Sequence, residues 1–321
     1  MAPDCRSARI SSAKLPRRSF LAAAGAASFA AALPTKSFST RPATSSLPIS
    51  VMLWTIDSRL PFDQRIAKAS EAGYHAVELV DEYKDWGSSD FAAARQRFHR
   101  LNLVVDACSG INSSLCDPAQ LDPLLAEVRA KLPVLSELEC SRLILLTGNR
   151  VPGLSNEQLH ANTVNALKRL SDATASQNVE ILLENIDPVE NPKYFLTSAA
   201  EGFQIVREVA HPRVKFLYDF FHEQIAEGNL ISKLEKNLDL IGLLHVADVP
   251  GRHEPGTGEI NYSNIFRKIG QLNYSHYVAM EFIPTGDTVA ALRTARESAE
   301  KYFAEGRALA GANFSSELNH A

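Results

Sequence analysis

VKFLYD, residues 214–219, is a short β-rich run of bulky apolar and aromatic residues that closes on an acid, as a buried strand with a functional end would. Reading outward from it in both directions finds the same pattern again. Towards the C-terminus stand IGLLHV from 241 and YVAMEF from 277; towards the N-terminus stand VEILLE from 179, RLILLT from 142, LVVDAC from 103, HAVELV from 75 and ISVMLW from 49. Longer stretches of helical periodicity separate these runs, such as FDQRIAKASEAG from 62 and NEQLHANTVNALKRLSDATASQ from 156. The first of them ends on Gly73, the kind of residue that caps a helix C-terminus. Eight βα units in roughly 250 residues predict a (β/α)8 TIM barrel of the α/β class. A doubly wound open sheet is the competing arrangement, but no G-x-G-x-x-G follows the first run.

The chain has 321 residues, 45% of them hydrophobic, and a formal net charge of -4. That charge is uneven. Residues 1–32 carry Arg6, Arg9, Lys14, Arg17 and Arg18 against the single acid Asp4, leaving 28 basic against 36 acidic residues, or -8, for the rest. So acidic a body lacks the cationic footprint that nucleic acid requires in bulk. The N-terminal PRRSFLAAAGAASFAAALP sets Arg17 and Arg18 before an Ala-rich apolar stretch that ends at Leu33. It resembles a twin-arginine export signal, with Ala30 and Ala32 as an A-x-A cleavage site. The expected organisation is a signal peptide at 1–33, a linker at 34–48, a barrel at 49–310 and a C-terminal tail at 311–321. An exported, periplasmic protein with no membrane span in its mature form follows. Cleavage would leave Cys108, Cys116 and Cys140, an odd number without metal spacing, in which one disulfide stays open.

A barrel places its site at the carboxyl ends of the strands. Those ends carry Glu184 after VEILL, Asp219 after VKFLY, His245 after IGLL and Glu281 after YVAM. A single acid there is commonly a helix cap or an ion-pair partner; four polar ends on consecutive strands converge on one point, because neighbouring strands lie about 4.8 Å apart. Three crowded carboxylates need a compensating cation. Two Glu, one Asp and one His suit one divalent metal, Mn2+ or Mg2+, with Co2+ or Zn2+ as substitutes. Such a metal, chelated by a carbonyl and its neighbouring hydroxyl, acidifies the carbon-bound proton and stabilises an enediolate. Glu184 and Glu281 would then act as acid and base. Glu78 ends the second strand and either reaches the same pocket or pairs structurally, and Trp54, Trp86, Phe220 and Phe221 are candidates for its walls, with core packing the expected role for most of them.

The run GRHEPGTGEINYSNIF from 251, with LLEN, LYDFFH and VAMEF, resembles the hydroxypyruvate isomerase family within the xylose-isomerase-like sugar isomerase and epimerase barrels. The resemblance spans about residues 49–300. It implies that Glu184, Asp219, His245 and Glu281 hold the metal, that His222 and Arg252 contact substrate, and, from the epimerase relatives, that Glu190 does so too. His253 and Glu254 would shape the loop, with Glu254 a partner for Arg252. His245 stands where hydroxypyruvate isomerases can carry Gln and ketose epimerases carry His, which leaves the substrate open between them.

The expected activity is isomerisation of hydroxypyruvate to tartronate semialdehyde, with Arg252 pairing the substrate carboxylate. A ketose 3-epimerase or an inosose-type dehydratase is the alternative enzyme, and a non-catalytic exported sugar-binding barrel the alternative without chemistry. An abasic-site endonuclease shares the barrel but needs more metal ligands than are in view. The expected partners are a small keto-acid or sugar substrate and the twin-arginine translocase during export, with a homo-oligomer left open.

Overall fold

The computed structural model describes residues 46–318. Eight parallel strands close into a barrel in sequence order: β1 (Ile49–Met52), β2 (Ala76–Leu79), β3 (Val104–Cys108), β4 (Arg142–Leu146), β5 (Glu180–Glu184), β6 (Val214–Asp219), β7 (Ile241–Val246) and β8 (Tyr277–Met280). β1 pairs with both β2 and β8, which rules out the open sheet. Helices α1 (Phe62–Glu71), α2 (Ser88–Leu101), α3 (Leu121–Glu137), α4 (Asn156–Ala173), α5 (Ala199–Val209), α6 (Phe220–Ala226), α7 (Leu230–Lys236), α8 (Tyr262–Gln271) and α9 (Thr288–Leu318) make the outer layer.

The local signals act as their chemistry predicts. After α1, Gly73 takes φ +86° and Tyr74 N–H returns to the Ala69 carbonyl at 3.1 Å, closing a Schellman turn. Ser155 and Gln158 form a reciprocal capping box at the start of α4. Two apolar layers result from the alternation of strand side chains. Met52, Ala107, Ile144, Leu182, Leu217, Leu243 and Ala279 fill the barrel, while outward residues such as Val51, Val77, Leu183 and Phe216 pack with the helices.

The barrel's limits differ slightly from those expected. Leu47 is buried and the Pro48 carbonyl accepts from Val278 N–H at 3.0 Å, so the last linker residues belong to the barrel wall. At the other end α9 passes through position 310 to Leu318. The proposed signal peptide and the linker as far as residue 45 lie outside the described residues. Among the described residues no helix is long and apolar enough to cross a membrane. Cys108, Cys116 and Cys140 are free and buried.

One irregularity bears on the interior. Val77 pairs with Val105 but Glu78 pairs with Ala107, so Asp106 is an extra residue on β3. Its carboxylate accepts from Ser50 Oγ at 3.0 Å and pairs with Arg142, whose Nε lies 3.2 Å from Glu180 Oε1.

Candidate active site

Glu184 and Asp219 are the last residues of β5 and β6, His245 is the penultimate residue of β7, and Glu281 directly follows β8. One ligand atom from each lies within 4.8 Å of the others, and all four side chains are buried. Asp219 does two jobs. Its Oδ1 caps α6, accepting from Phe221 N–H at 2.7 Å and His222 N–H at 3.3 Å, while its Oδ2 has no hydrogen-bond partner. The helix-cap reading and the site reading of this acid are therefore both true, one for each oxygen.

His245 Nδ1 faces the cluster, 2.8 Å from Glu281 Oε2 and 3.6 Å from Glu184 Oε1. Its Nε2 points the other way, 3.0 Å from Glu78 Oε2 but out of line for a hydrogen bond, so neither atom is satisfied. Three carboxylates, one of them with a buried orphan oxygen, and one imidazole make an anionic, oxygen-rich donor set that fits a divalent cation. These four residues could hold one.

Their electrostatics are split. Burial, together with the Glu281 and Asp219 carboxylates, pushes Glu184 up to about 8 against the pull of His245. Glu281 goes the other way: although burial opposes it, Arg252 and His245 hold its carboxyl well below the usual range. Burial also opposes the charged form of His245, yet Glu78 and Glu281 raise it well above an ordinary histidine. Two glutamates facing one point thus differ in readiness to carry a proton, the pattern of an acid and base pair.

Arg252 arrives from the loop after β7. It is buried for the most part, with Nη2 2.8 Å from Glu281 Oε2 and 3.8 Å from Asp219 Oδ2, and its guanidinium lies between the rings of Phe221 (4.9 Å) and Trp54 (5.5 Å). Trp54 Nε1 donates to Glu281 Oε1 at 3.1 Å. On the opposite side His222 Nδ1 meets Asp187 Oδ2 at 2.7 Å, which turns Nε2 towards Asp219 Oδ2 at 3.5 Å. Asp187 is itself held by the Val189 and Glu190 N–H groups at 2.9 and 2.8 Å. Glu190 is half exposed at the rim, 3.4 Å from Arg252 Nη1, and forms a second close group with Asp187 and His222. A cleft of about 510 Å³ opens beside Trp54 between the β1 and β8 loops, with Ser58, Ile283 and Pro284 among its lining.

The structure thus brings Glu184, Asp219, His245, Glu281, His222, Arg252 and Glu190 to one rim. Glu254 is not the partner of Arg252: it accepts from Thr285 N–H and Oγ1 at 3.0 and 2.6 Å, because the loop turns its side chain towards the segment after β8. Trp86 does not wall the pocket; it packs edge-on against Phe62 and Phe91 outside the barrel. Phe220 lies fully buried against Tyr218 and Tyr262. Sequence reasoning missed Asp187 and Asp248, whose loop positions look like ordinary turn chemistry, and Asp106, whose direction depends on a bulge.

The xylose isomerase-like TIM barrel family matches residues 66–305. Hydroxypyruvate isomerase of Escherichia coli (strain K12) is 31% identical over 72% of this chain and 92% of its own. A 2-oxo-tetronate isomerase of Pectobacterium atrosepticum is 27% identical over 75% of this chain and 94% of its own. Among solved structures, a family 2 AP endonuclease from Brucella melitensis superposes with a TM-score of 0.70 at 25% identity, over 77% of this chain and 97% of its own.

Proposed function

The chain belongs to the xylose isomerase-like TIM barrel family, its relatives include isomerases, and from that premise we propose that it is a divalent-metal-dependent isomerase of small 2-keto acids, hydroxypyruvate first among them. The observation that carries this reading is the convergence of Glu184, Asp219, His245 and Glu281 within 4.8 Å of one another at one buried, incompletely hydrogen-bonded point. Glu184, Asp219, His245 and Glu281 would hold the cation; manganese or magnesium suits the oxygen-rich set, and cobalt or zinc would also bind. Bound there, it would polarise a substrate carbonyl and the neighbouring hydroxyl.

The chain's own residues supply the rest. Glu281, kept ionised by Arg252 and His245, takes the proton from the hydroxymethyl carbon. Glu184 helps return a proton to the former carbonyl carbon, and the hydroxyl proton passes to the former carbonyl oxygen, giving tartronate semialdehyde. Trp54 fixes Glu281 by its indole N–H. Arg252 pairs with the substrate carboxylate, and His222, its tautomer set by Asp187, contacts a substrate oxygen, with Glu190 closing the rim. A ketose 3-epimerase is the second reading, supported by His245, which stands where the resemblance places a His in ketose epimerases.

Proton NMR in deuterated buffer with Mn2+ tests both, using hydroxypyruvate, 2-oxo-tetronate, ketoses and inosose. Hydroxypyruvate should give product deuterated at the former carbonyl carbon. Exchange confined to ketoses would replace the first reading by the second, and exchange with none would refute both. Export completes the proposal: replacing Arg17 and Arg18 with Lys should leave full-length, metal-loaded protein in the cytoplasmic fraction, and unchanged periplasmic recovery would refute it.

A further inference from the structure

The loop from Asp248 to Ile260 is rich in Gly and charge, yet it is gathered around one side chain. Asp248 is fully buried. Its Oδ1 accepts from the N–H groups of Val249 and Ile260, both at 3.0 Å, and its Oδ2 from those of Gly256 at 2.8 Å and Gly258 at 3.0 Å. Two backbone bonds tighten the knot: Asp248 N–H to the His253 carbonyl at 2.8 Å, and Glu259 N–H to the Val249 carbonyl at 2.7 Å. Gly258 has no alternative there, since a Cβ would stand 2.1 Å from the Val249 carbonyl oxygen and 2.7 Å from Asp248 Oδ1.

The tip of this knot carries Arg252 in the left-handed region, φ +57°, a conformation that a non-glycine residue keeps only when its surroundings hold it. The tip is pinned to the segment after β8 by Ile283 N–H donating to the Arg252 carbonyl at 2.7 Å and by His253 Nδ1 at 2.8 Å from the Ile283 carbonyl. Few arrangements of the loop satisfy both the four N–H groups at its base and the contacts at its tip. The guanidinium position 2.8 Å from Glu281 is the consequence.

We infer that Asp248 is the positioning residue for Arg252: by accepting four backbone N–H groups it sets where the guanidinium stands and so governs the site's preference for substrates that carry a carboxylate. The preference rests on the proposed role of Arg252; the positioning does not. Asp248→Asn keeps the size but substitutes an NH2 group for one acceptor, leaving buried N–H groups facing a donor.

The chain has two tryptophans, and Trp54 lies against Arg252, so a Trp86→Phe background makes fluorescence a direct report of the guanidinium. In that background Asp248→Asn should move Trp54 emission to the value of Arg252→Gln. With hydroxypyruvate, KM should rise about tenfold and kcat should fall to the extent it does in Arg252→Gln, since Arg252 both meets the substrate carboxylate and stands 2.8 Å from the base Glu281. The double variant should be no worse than Arg252→Gln alone, because both act through one group. Bound manganese should be unchanged. Wild-type emission in Asp248→Asn, or multiplied effects in the double variant, overturns the inference. If Asp248→Asn does not fold, Gly258→Ala displaces the same loop with the carboxylate intact and must give the same shift in emission. Should the wild type fail to turn over hydroxypyruvate, the isomerase reading falls, and Trp54 emission still decides the role of Asp248.

Discussion

The barrel interior holds a buried polar cluster towards each end, and the two are balanced differently. In the N-terminal half, Arg142 stands between Asp106 and Glu180, Ser50 donates to Asp106, and the ring of Tyr277 lies 5.3 Å from the guanidinium. None of these side chains has a buried nitrogen or oxygen without a hydrogen-bond partner. At the C-terminal end, Glu184, Asp219 and Glu281 gather around two imidazoles, His245 and His222, and one arginine, Arg252. Asp219 Oδ2, His245 Nε2 and both oxygens of Glu78 make no hydrogen bond, although His245 Nε2 lies 3.0 Å from Glu78 Oε2 and Asp219 Oδ2 lies 3.5 Å from His222 Nε2. A closed set of partners marks a cluster that serves the fold, whereas an open set of the same chemical groups marks one shaped for something that binds. Substitutions at the two ends should therefore fail in opposite ways.

The largest effect is expected at the open end. On the proposed mechanism, Glu184→Gln and Glu281→Gln should each lower kcat by on the order of 10² or more, since each keeps its volume and would lose a proton carrier and a charge beside the proposed metal. Asp219→Ala should lose bound manganese by elemental analysis, with activity partly restored by excess metal. Near-normal turnover in either glutamine variant, or full metal content without Asp219, would break the contrast. Arg142→Met, at the closed end, should instead destabilise the fold by about 3 kcal/mol, the cost of leaving a buried carboxylate without its partner. Its bound metal should stay at the wild-type level and kcat within about threefold. Loss of metal without loss of stability in this variant would erase the distinction.

A smaller effect separates the metal-free from the metal-loaded state. Burial raises Glu184 to about 8; burial and the Glu78 carboxylate raise Asp106 to about 8 against the pull of Arg142. In the unfolded chain these groups titrate near 4.5 and 3.8. The folded state thus binds more protons between those limits, and stability falls as pH rises through that window. His245, held well above the 6.5 of an ordinary histidine, adds to the loss from there upward. Glu281 is depressed, so its contribution is already complete at this pH and does not reverse the trend. Metal-free protein should melt roughly 5 °C lower at pH 8 than at pH 6. Saturating manganese should flatten the difference, because a cation favours the ionised carboxylates. A melting temperature that rises with pH in the metal-free protein would contradict the assignment, and Asp106→Asn should remove only the closed-end share of the slope.

Much of this architecture can be read from local pattern. Eight β-rich runs with helical stretches between them determine a barrel, and polar residues at the ends of four consecutive strands identify Glu184, Asp219, His245 and Glu281, because strand period and rim position follow from neighbours in the chain. Other features needed the closed barrel. Glu78 is the penultimate residue of β2, a strand paired with β1 and β3, and only closure of the barrel brings its carboxylate to 3.0 Å from His245 Nε2 on β7. Asp106 is an outward residue by strict alternation until a one-residue shift against β2 makes it the extra residue beside Ser50 and Arg142. Asp187 and Asp248 sit in stretches that read as solvated turns. They become organisers because backbone N–H groups from residues up to twelve positions away converge on their carboxylates. Short-range periodicity determines which residues are strands and where those strands end. Register, bulges and the folding of loops depend on contacts distant in sequence, so tertiary structure alone decided which acids are paired, which are left open, and where Arg252 stands between them.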